Sequence, residues 1–240
     1  MDGNSPVREA FTDLALRYEQ AMDQELGRFL GASYGEFIER LLAFAPARAN
    51  DLVLDVATGT ARIPRALADR SQARRGIVGL DVTPAMLEQA RSRCLADGSA
   101  EQIHLVCASG TAMAFAGCTF DGVICGFGTH HMHVPSLLSE MRRALKDGGW
   151  LVLAEAAAPA FWRTWCGRAF LRFSLHVYGW MTNGARARAE VDAVSKLHTG
   201  SEWRTLLCAA GFAAIEVREE RARRVGYPRA LLIRAVAGSR

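Results

Sequence analysis

The sequence lacks the features by which membrane and secreted proteins are recognised. No apolar run reaches about 18 residues, the length that a spanning helix needs, and the polar, acid-bearing residues 1–6 do not resemble a signal peptide. The six cysteines are dispersed, none forms a Cys-x-x-Cys pair, and most lie in apolar runs. We therefore expect a cytoplasmic protein with reduced, buried cysteines and without a structural disulfide or a zinc site.

Lysine is also scarce: only Lys146 and Lys196 occur among 29 basic residues, so arginine carries nearly all of the positive charge. The formal net charge is +4, and long runs of like charge are missing. Scattered arginines do not form the stripe that follows a phosphate backbone, so we expect no nucleic-acid partner. With 240 residues, half of them hydrophobic, the chain can bury a sizeable globular core; a homodimer stays an open alternative.

Two kinds of hydrophobic pattern follow one another along the chain. Residues from about 8 to 47 carry apolar side chains every three or four positions, which predicts helices. From Asp51 onward strand-like and helix-like segments alternate, as in a parallel sheet with helices on both faces. The predicted strands are 51–56, 76–80, 103–107, 120–125, 150–154, 213–217 and 230–237. The turn around Gly226 is too short for a crossover helix, so the last two strands should pair antiparallel.

These patterns predict an α/β fold, a doubly wound, mostly parallel seven-stranded sheet with an antiparallel C-terminal hairpin. We expect a single domain over residues 1–240. Its predicted parts are a helical N-terminal cap (1–48), a cofactor-binding core (49–158), a helical, aromatic-rich insertion (159–199), and a final helix with the hairpin (200–240).

The segment Val53-Leu-Asp-Val-Ala-Thr-Gly-Thr-Ala61 joins a buried-strand pattern to a helical pattern through small residues. Such a turn aims free backbone N–H groups at a ligand above the sheet, and its small side chains allow close approach. Asp81 ends the second predicted strand, 26 positions after Asp55, where a carboxylate can accept hydrogen bonds from a ribose diol. Turn and acid together indicate a cofactor that carries a nucleoside.

Four segments in this order resemble the class I S-adenosylmethionine-dependent methyltransferases, especially small-molecule members such as the ubiquinone/menaquinone C-methyltransferases. They are Leu54-Asp-Val-Ala-Thr-Gly-Thr, Val78-Gly-Leu-Asp-Val-Thr-Pro-Ala-Met, Phe120-Asp-Gly-Val-Ile, and Met141-Arg-Arg-Ala-Leu-Lys-Asp-Gly-Gly with the following Leu151-Val-Leu-Ala-Glu. The resemblance is clear over residues 50–156 and looser over the final hairpin. It implies S-adenosylmethionine as the cofactor and a small molecule as the methyl acceptor.

The resemblance also implies which residues contact each part of the cofactor. They are Asp55, Ala57, Thr58 and Gly59 for the amino-acid end, Asp81 for the ribose, Val82, Met86, Ser109 and Gly110 for the adenine, and Gly126 for the sulfonium. The chain departs from the family at two places. Ala61 stands where the family's turn usually ends in glycine, and Ser109 where an aspartate often accepts from the adenine amino group. A serine hydroxyl still accepts, but the lost charge assistance weakens binding by about 1 kcal/mol.

The segment Gly126-Phe-Gly-Thr-His-His-Met-His133 follows the fourth predicted strand, at the edge where open α/β sheets bind ligands. Imidazole titrates near neutral pH, so His131, or else His130, is the candidate base that removes a proton from the acceptor. The alternative is that these histidines cap the next helix or pack beneath the cofactor. Adjacent side chains diverge, and no distant cysteine or acid pair completes a tetrahedral set, so we expect no metal.

Aromatic residues are the candidates for the acceptor pocket, because binding sites are lined largely by apolar side chains. We predict that Tyr18 contributes from the N-terminal helices, and Trp165 and Trp180 from the insertion. The alternative for Tyr18 is packing in the core or at the surface, and the alternative for the insertion is a helical pair that covers an exposed face of the sheet.

The predicted function is methyl transfer from S-adenosylmethionine to a small, mostly apolar acceptor at O, C or N. One alternative is a methyltransferase-like protein that binds the cofactor structurally and guides another reaction, such as a cyclisation, or only binds ligand. A second alternative is a nicotinamide-dependent oxidoreductase. It is disfavoured because the turn lacks Gly-x-Gly-x-x-Gly.

Overall fold

A computed structural model describes residues 5–70, 75–157, 197–224 and 229–239. The helices in these ranges are α1 (Ser5–Leu14), α2 (Tyr18–Phe29), α3 (Tyr34–Phe44), α4 (Arg62–Asp69), α5 (Pro84–Asp97), α6 (Val134–Ala144) and α7 (Gly200–Ala209), with short 3₁₀ turns at Ala15–Arg17 and Thr129–His131. The strands are β1 (Val53–Val56), β2 (Ile77–Asp81), β3 (Ile103–Cys107), β4 (Phe120–Gly126), β5 (Leu145–Ala157), β6 (Phe212–Glu220) and β7 (Arg229–Ala237). Most of the predicted insertion, with Trp165 and Trp180, lies outside the described residues.

The seven strands form one sheet in the order β3-β2-β1-β4-β5-β7-β6. Strands β1 to β5 pair in parallel with one another, whereas β7 pairs antiparallel with both β5 and β6. The predicted fold class is confirmed, including the antiparallel hairpin at the C-terminal end. Because the strand order reverses between β1 and β4, the carboxyl ends of these two strands flank a crevice that is open to ligands.

Helices cover both faces of the sheet. On one face α6 and α7 pack through buried residues such as Leu137 and Trp203. On the other face α3 and α4 pack through residues such as Phe37 and Leu67. The central strand β1 is therefore buried on both sides, which explains why it has no exposed position.

The N-terminal region that the periodicity predicts as helical consists of three helices, interrupted at 15–17 and 30–33. A capping box begins α7, because the Thr199 hydroxyl accepts from the N–H of Glu202 and the Glu202 carboxylate accepts from the N–H of Thr199. Within the described ranges, no helix has the length and apolar character that crossing a membrane requires.

One contact between neighbouring strands requires a glycine. Gly122 on β4 pairs with Trp150 on β5, and a methyl group at Gly122 would lie 2.1 Å from the indole ring. The indole is fixed in turn, since its Nε1–H donates to the Asp51 carboxylate at 2.9 Å. The ring cannot move away from an added side chain without breaking this hydrogen bond.

We expect Gly122→Ala to lower the free energy of unfolding by about 2–3 kcal/mol, because the new methyl overpacks a fixed ring. Gly27→Ala is the matched control. On α2 the added methyl meets no atom within 4 Å, so this change should raise the free energy of unfolding by about 0.5–1 kcal/mol. Urea denaturation of both variants measures the two effects, and a Gly122→Ala protein as stable as the parent would contradict the packing argument.

Candidate active site

The turn after β1 connects the sheet to α4, and every second residue in it has a left-handed backbone conformation. Ala57, Gly59 and Ala61 have φ angles of 57°, 53° and 59°. The N–H of Thr58 donates to the carbonyl of Leu80 at 3.0 Å, which ties the turn to β2. Ala61 keeps the left-handed conformation that a glycine adopts more readily, at a cost of about 1 kcal/mol.

Asp81 ends β2 beside this turn. Its Oδ2 accepts from the N–H of Gly59 at 2.9 Å, and its Oδ1 accepts from the N–H of Thr83 at 2.8 Å. Burial raises the pKa of the Asp81 carboxyl, and these backbone hydrogen bonds oppose the rise. The carboxylate therefore fixes the loops after β1 and β2 relative to each other.

Asp55 on β1 is fully buried, and neither of its carboxylate oxygens has a hydrogen-bond partner among the described residues. Burial raises the pKa of Asp55 to about 7. The nearby Thr58 hydroxyl lowers the pKa of Asp55, although it does not meet the geometry of a full hydrogen bond. The charge of Asp81 raises the pKa further. Buried acceptors without donors are rare in folded proteins, so this site is suited to a cationic donor such as an ammonium group.

A cleft opens at the carboxyl ends of the strands. Eight of the predicted cofactor residues line it: Ala57, Gly59, Asp81, Val82, Met86, Ser109, Gly110 and Gly126. The other two, Asp55 and Thr58, are buried beside them. Two glycines permit close packing after β4, since an added methyl would lie 2.7 Å from Ile63 at Gly126 and 2.6 Å from Ala57 at Gly128.

The N-terminal helices close one side of the cleft. Phe11 of α1 and Tyr18 of α2 line it, and the Tyr18 ring packs against the turn at Gly59. Glu19 anchors α2 there. Its Oε1 accepts from the Thr60 hydroxyl at 2.9 Å and pairs with Arg93 of α5 at 2.7 Å. Tyr18, the predicted acceptor contact, thus lies over the turn that would hold the cofactor.

The three histidines after β4 occupy different positions. His131 lines the cleft, with its ring edge-on to Phe11 and the centroids 5.1 Å apart. His130 lies beside it, ring centroids 4.2 Å apart, and the His130 Nδ1 is 3.0 Å from the Glu155 carboxylate. His133 caps α6 by accepting a backbone N–H of that helix at 3.4 Å. Helix capping therefore accounts for His133, whereas His131 faces the cleft.

Four residues of this region have no role in the sequence analysis: Phe11, Phe127, Met132 and Glu155. Phe127 and Met132 flank the histidines and could have been found from that position alone. Glu155 ends the apolar run 151–154, and an acid at the end of a parallel strand is a usable signal. Phe11 gives none. In the part of the chain that is described, no three His, Cys, Asp or Glu side chains are grouped to hold a metal ion.

Comparison with known proteins identifies the class of this α/β domain. A family model described as a methyltransferase domain matches residues 53–149. The chain is 31% identical over 156 residues to a ubiquinone/menaquinone biosynthesis C-methyltransferase of Geotalea daltonii, a match that covers 65% of each chain. It is 32% identical over 177 residues to a demethylmenaquinone methyltransferase of Symbiobacterium thermophilum, covering 73% of this chain and 66% of that one. The match thus spans just under two thirds of the length of both relatives.

Solved structures share the fold at low sequence identity. Phosphoethanolamine N-methyltransferase 2 of Haemonchus contortus, in complex with S-adenosylmethionine, superposes with a TM-score of 0.69 at 16% identity, over 95% of this chain and 60% of that one. The cyclase SpnF superposes with a TM-score of 0.71 at 14% identity, over 98% of this chain and 96% of that one. The protein is therefore a methyltransferase-fold domain. Its residues 53–149 form a methyltransferase domain, for which S-adenosylmethionine is the cofactor.

The described residues fit this cofactor. The partnerless oxygens of Asp55 and Thr58 match the ammonium group of its amino-acid end. Each Asp81 oxygen keeps a second acceptor position for a ribose hydroxyl. Met86 and Val82 supply apolar surface beside Asp81, as an adenine ring requires.

We expect cofactor binding to depend on pH through Asp55. In the free protein this carboxyl, with a pKa of about 7, is protonated below that pH, whereas a bound ammonium group favours the carboxylate. Binding below pH 7 should therefore release a proton, and the association constant should rise with pH by up to about tenfold per unit until about pH 7. Calorimetry from about pH 5.5 to about pH 7, in two buffers of different ionisation enthalpy, measures that proton.

Asp55→Asn supplies the comparison for this measurement. The amide keeps the side-chain volume but cannot titrate, so binding should be weaker and nearly independent of pH over the same range. An Asp55→Asn protein with undiminished pH dependence would assign the released proton to another group.

Proposed function

We propose that the protein transfers a methyl group from S-adenosylmethionine to a small, mostly apolar acceptor. The observation that carries this proposal is that His131 lines the same cleft as the turn after β1 and Asp81. An imidazole in that position is suited to take a proton from an acceptor lying next to the cofactor.

The surroundings of His131 favour an aromatic acceptor. Phe11, Phe127 and Met132 line the cleft near it, and no lysine or arginine is found among the described lining residues. The relatives carry names that refer to C-methylation in ubiquinone and menaquinone biosynthesis. We therefore propose a hydroxylated, quinol-like ring, with Trp165 and Trp180 as predicted further contacts.

When bound, the cofactor supplies an electrophilic methyl group, and much of the barrier reduction comes from holding a nucleophile in line with it. The protein binds and orients both partners and excludes water. Asp55 and Asp81 hold the two ends of the cofactor, and Phe11 and Tyr18 cover the cleft, so the acceptor is desolvated on entry. His131 takes the hydroxyl proton on a ring nitrogen, which leaves the acceptor as the nucleophilic anion.

The fold does not decide the reaction, since the cyclase SpnF has it as well. Incubation with S-adenosylmethionine and a panel of phenols and quinols, followed by mass spectrometry, separates the possibilities. Methyl transfer gives S-adenosylhomocysteine and a methylated product in equal amounts. A converted acceptor without S-adenosylhomocysteine would identify a guided rearrangement, and a copurified nicotinamide nucleotide would identify an oxidoreductase. The cytoplasmic location, the homodimer and the lack of a nucleic-acid partner stay predictions.

His131→Asn should lower kcat by about 10²–10⁴-fold, because it removes the group that accepts the proton. The affinity for S-adenosylmethionine should change little, and the rise of rate with pH near the imidazole range, about 6.5, should disappear. His104→Asn is the matched control, on an exposed position of β3. Steady-state kinetics across pH test both variants. Full activity of His131→Asn would return His131 to a packing role and leave catalysis to proximity alone.

A further inference from the structure

Glu155 is a buried carboxylate near the end of β5 that the proposed mechanism does not yet use. Only 2% of its surface is exposed. Its Oε1 accepts from the N–H of Thr129 at 3.0 Å, and its Oε2 lies 3.0 Å from the Nδ1 of His130. The carboxylate therefore holds the loop after β4 at two neighbouring residues. A buried carboxylate is costly unless its oxygens are satisfied in this way.

This geometry fixes the tautomer of His130. A carboxylate has only acceptor positions, so the bond to Oε2 places the proton of the imidazole on Nδ1. The Nε2 atom on the far side of the ring then carries a lone pair in the neutral form. Carboxylate–imidazole pairs orient histidines in the same way in hydrolytic triads and in metal sites.

The orientation of His130 is passed on to His131 by contact between the rings. Their centroids are 4.2 Å apart, with the planes inclined by 47°. On its other side His131 meets the Phe11 ring edge-on at 5.1 Å. His131 is thus held between a ring that Glu155 fixes and a ring of the N-terminal helix α1.

We propose that Glu155 is a positioning residue for proton removal in the cleft. It fixes His130 as the Nδ1–H tautomer and, through the packed rings, sets the orientation of His131. This inference rests on the proposed function, in which His131 takes the proton of the acceptor.

Glu155→Gln is the sharpest test, because the site presents two donors. The carboxylate accepts both the Thr129 N–H and the His130 Nδ1–H, whereas a glutamine offers one oxygen and one NH₂ group. With the oxygen on the Thr129 N–H, the NH₂ group faces Nδ1 and donates to it. His130 should therefore change to the Nε2–H tautomer while the side-chain volume stays the same.

The first readout is the tautomer, measured by ¹⁵N NMR on protein with labelled histidines; His130→Asn identifies the His130 signals. The second readout is kinetic. We expect kcat of Glu155→Gln to fall by about tenfold or more, with KM for the acceptor and the Kd of S-adenosylmethionine changed by less than about threefold. If Glu155 had only a structural role, the substitution would lower stability without lowering kcat selectively relative to KM.

Glu140→Gln is the matched control. Its carboxylate also accepts a backbone N–H, that of Met113 at 2.7 Å, and pairs with Arg143 at 2.7 Å, but it lies outside the cleft. The Glu140→Gln protein should be less stable than the parent but have the same kcat. If Glu155→Gln does not fold, His130→Asn replaces it in the kinetic test, because the amide N–H of asparagine keeps the bond to Glu155 while the ring contact to His131 is lost.

An unchanged His130 tautomer in folded Glu155→Gln, or a kcat equal to that of the parent in the variant tested, would overturn the proposal. Failure of the proposed function is seen separately. In that case the parent protein itself forms no S-adenosylhomocysteine with any acceptor, while the NMR result still decides whether Glu155 sets the tautomer of His130.

Discussion

The geometry of the cleft depends on the Asp81 carboxylate, which bridges the loops after β1 and β2. Each oxygen accepts one backbone N–H, from Gly59 and from Thr83. Without these bonds two buried N–H groups and a buried charge would lack partners, and each carries a desolvation cost of about 1–3 kcal/mol or more. The turn that would bind the cofactor is therefore held in shape by the same group that would bind its ribose.

Negative charge is concentrated at this edge of the sheet. Asp55, Asp81 and Glu155 are all buried, and they lie at or near the carboxyl ends of β1, β2 and β5. These carboxylates lie close enough to the Cys125 thiol to affect its pKa. Burial raises the pKa of Cys125 most, and the charges of the three carboxylates raise it further. Such a region attracts a cation, and S-adenosylmethionine carries positive charge on its sulfonium and ammonium groups.

The sequence predicts the order of the strands along the chain and the position of the cleft because both depend on local signals. Apolar periodicity marks the strands, and Gly59 and Asp81 mark the loops at their ends. Glu155 differs, since its contacts with Thr129 and His130 join β5 to the loop after β4. The same applies to Phe11, which reaches the cleft only through the path of the N-terminal helices. Contacts of this kind depend on tertiary packing and leave no periodic pattern in the chain.

Sequence patterns also do not predict which residues other than glycine adopt positive φ angles, and these residues shape the site. Ala57, Ala61 and Phe127 all have positive φ angles, which cost L-residues about 1–2 kcal/mol each. They keep this conformation because packing enforces it. Ala61 is fully buried, and the N–H of Phe127 donates to the carbonyl of Ala154 at 2.7 Å. The fold thus holds the loops after β1 and β4 in the shape of the cleft before any ligand arrives, so binding need not supply the energy to bend them.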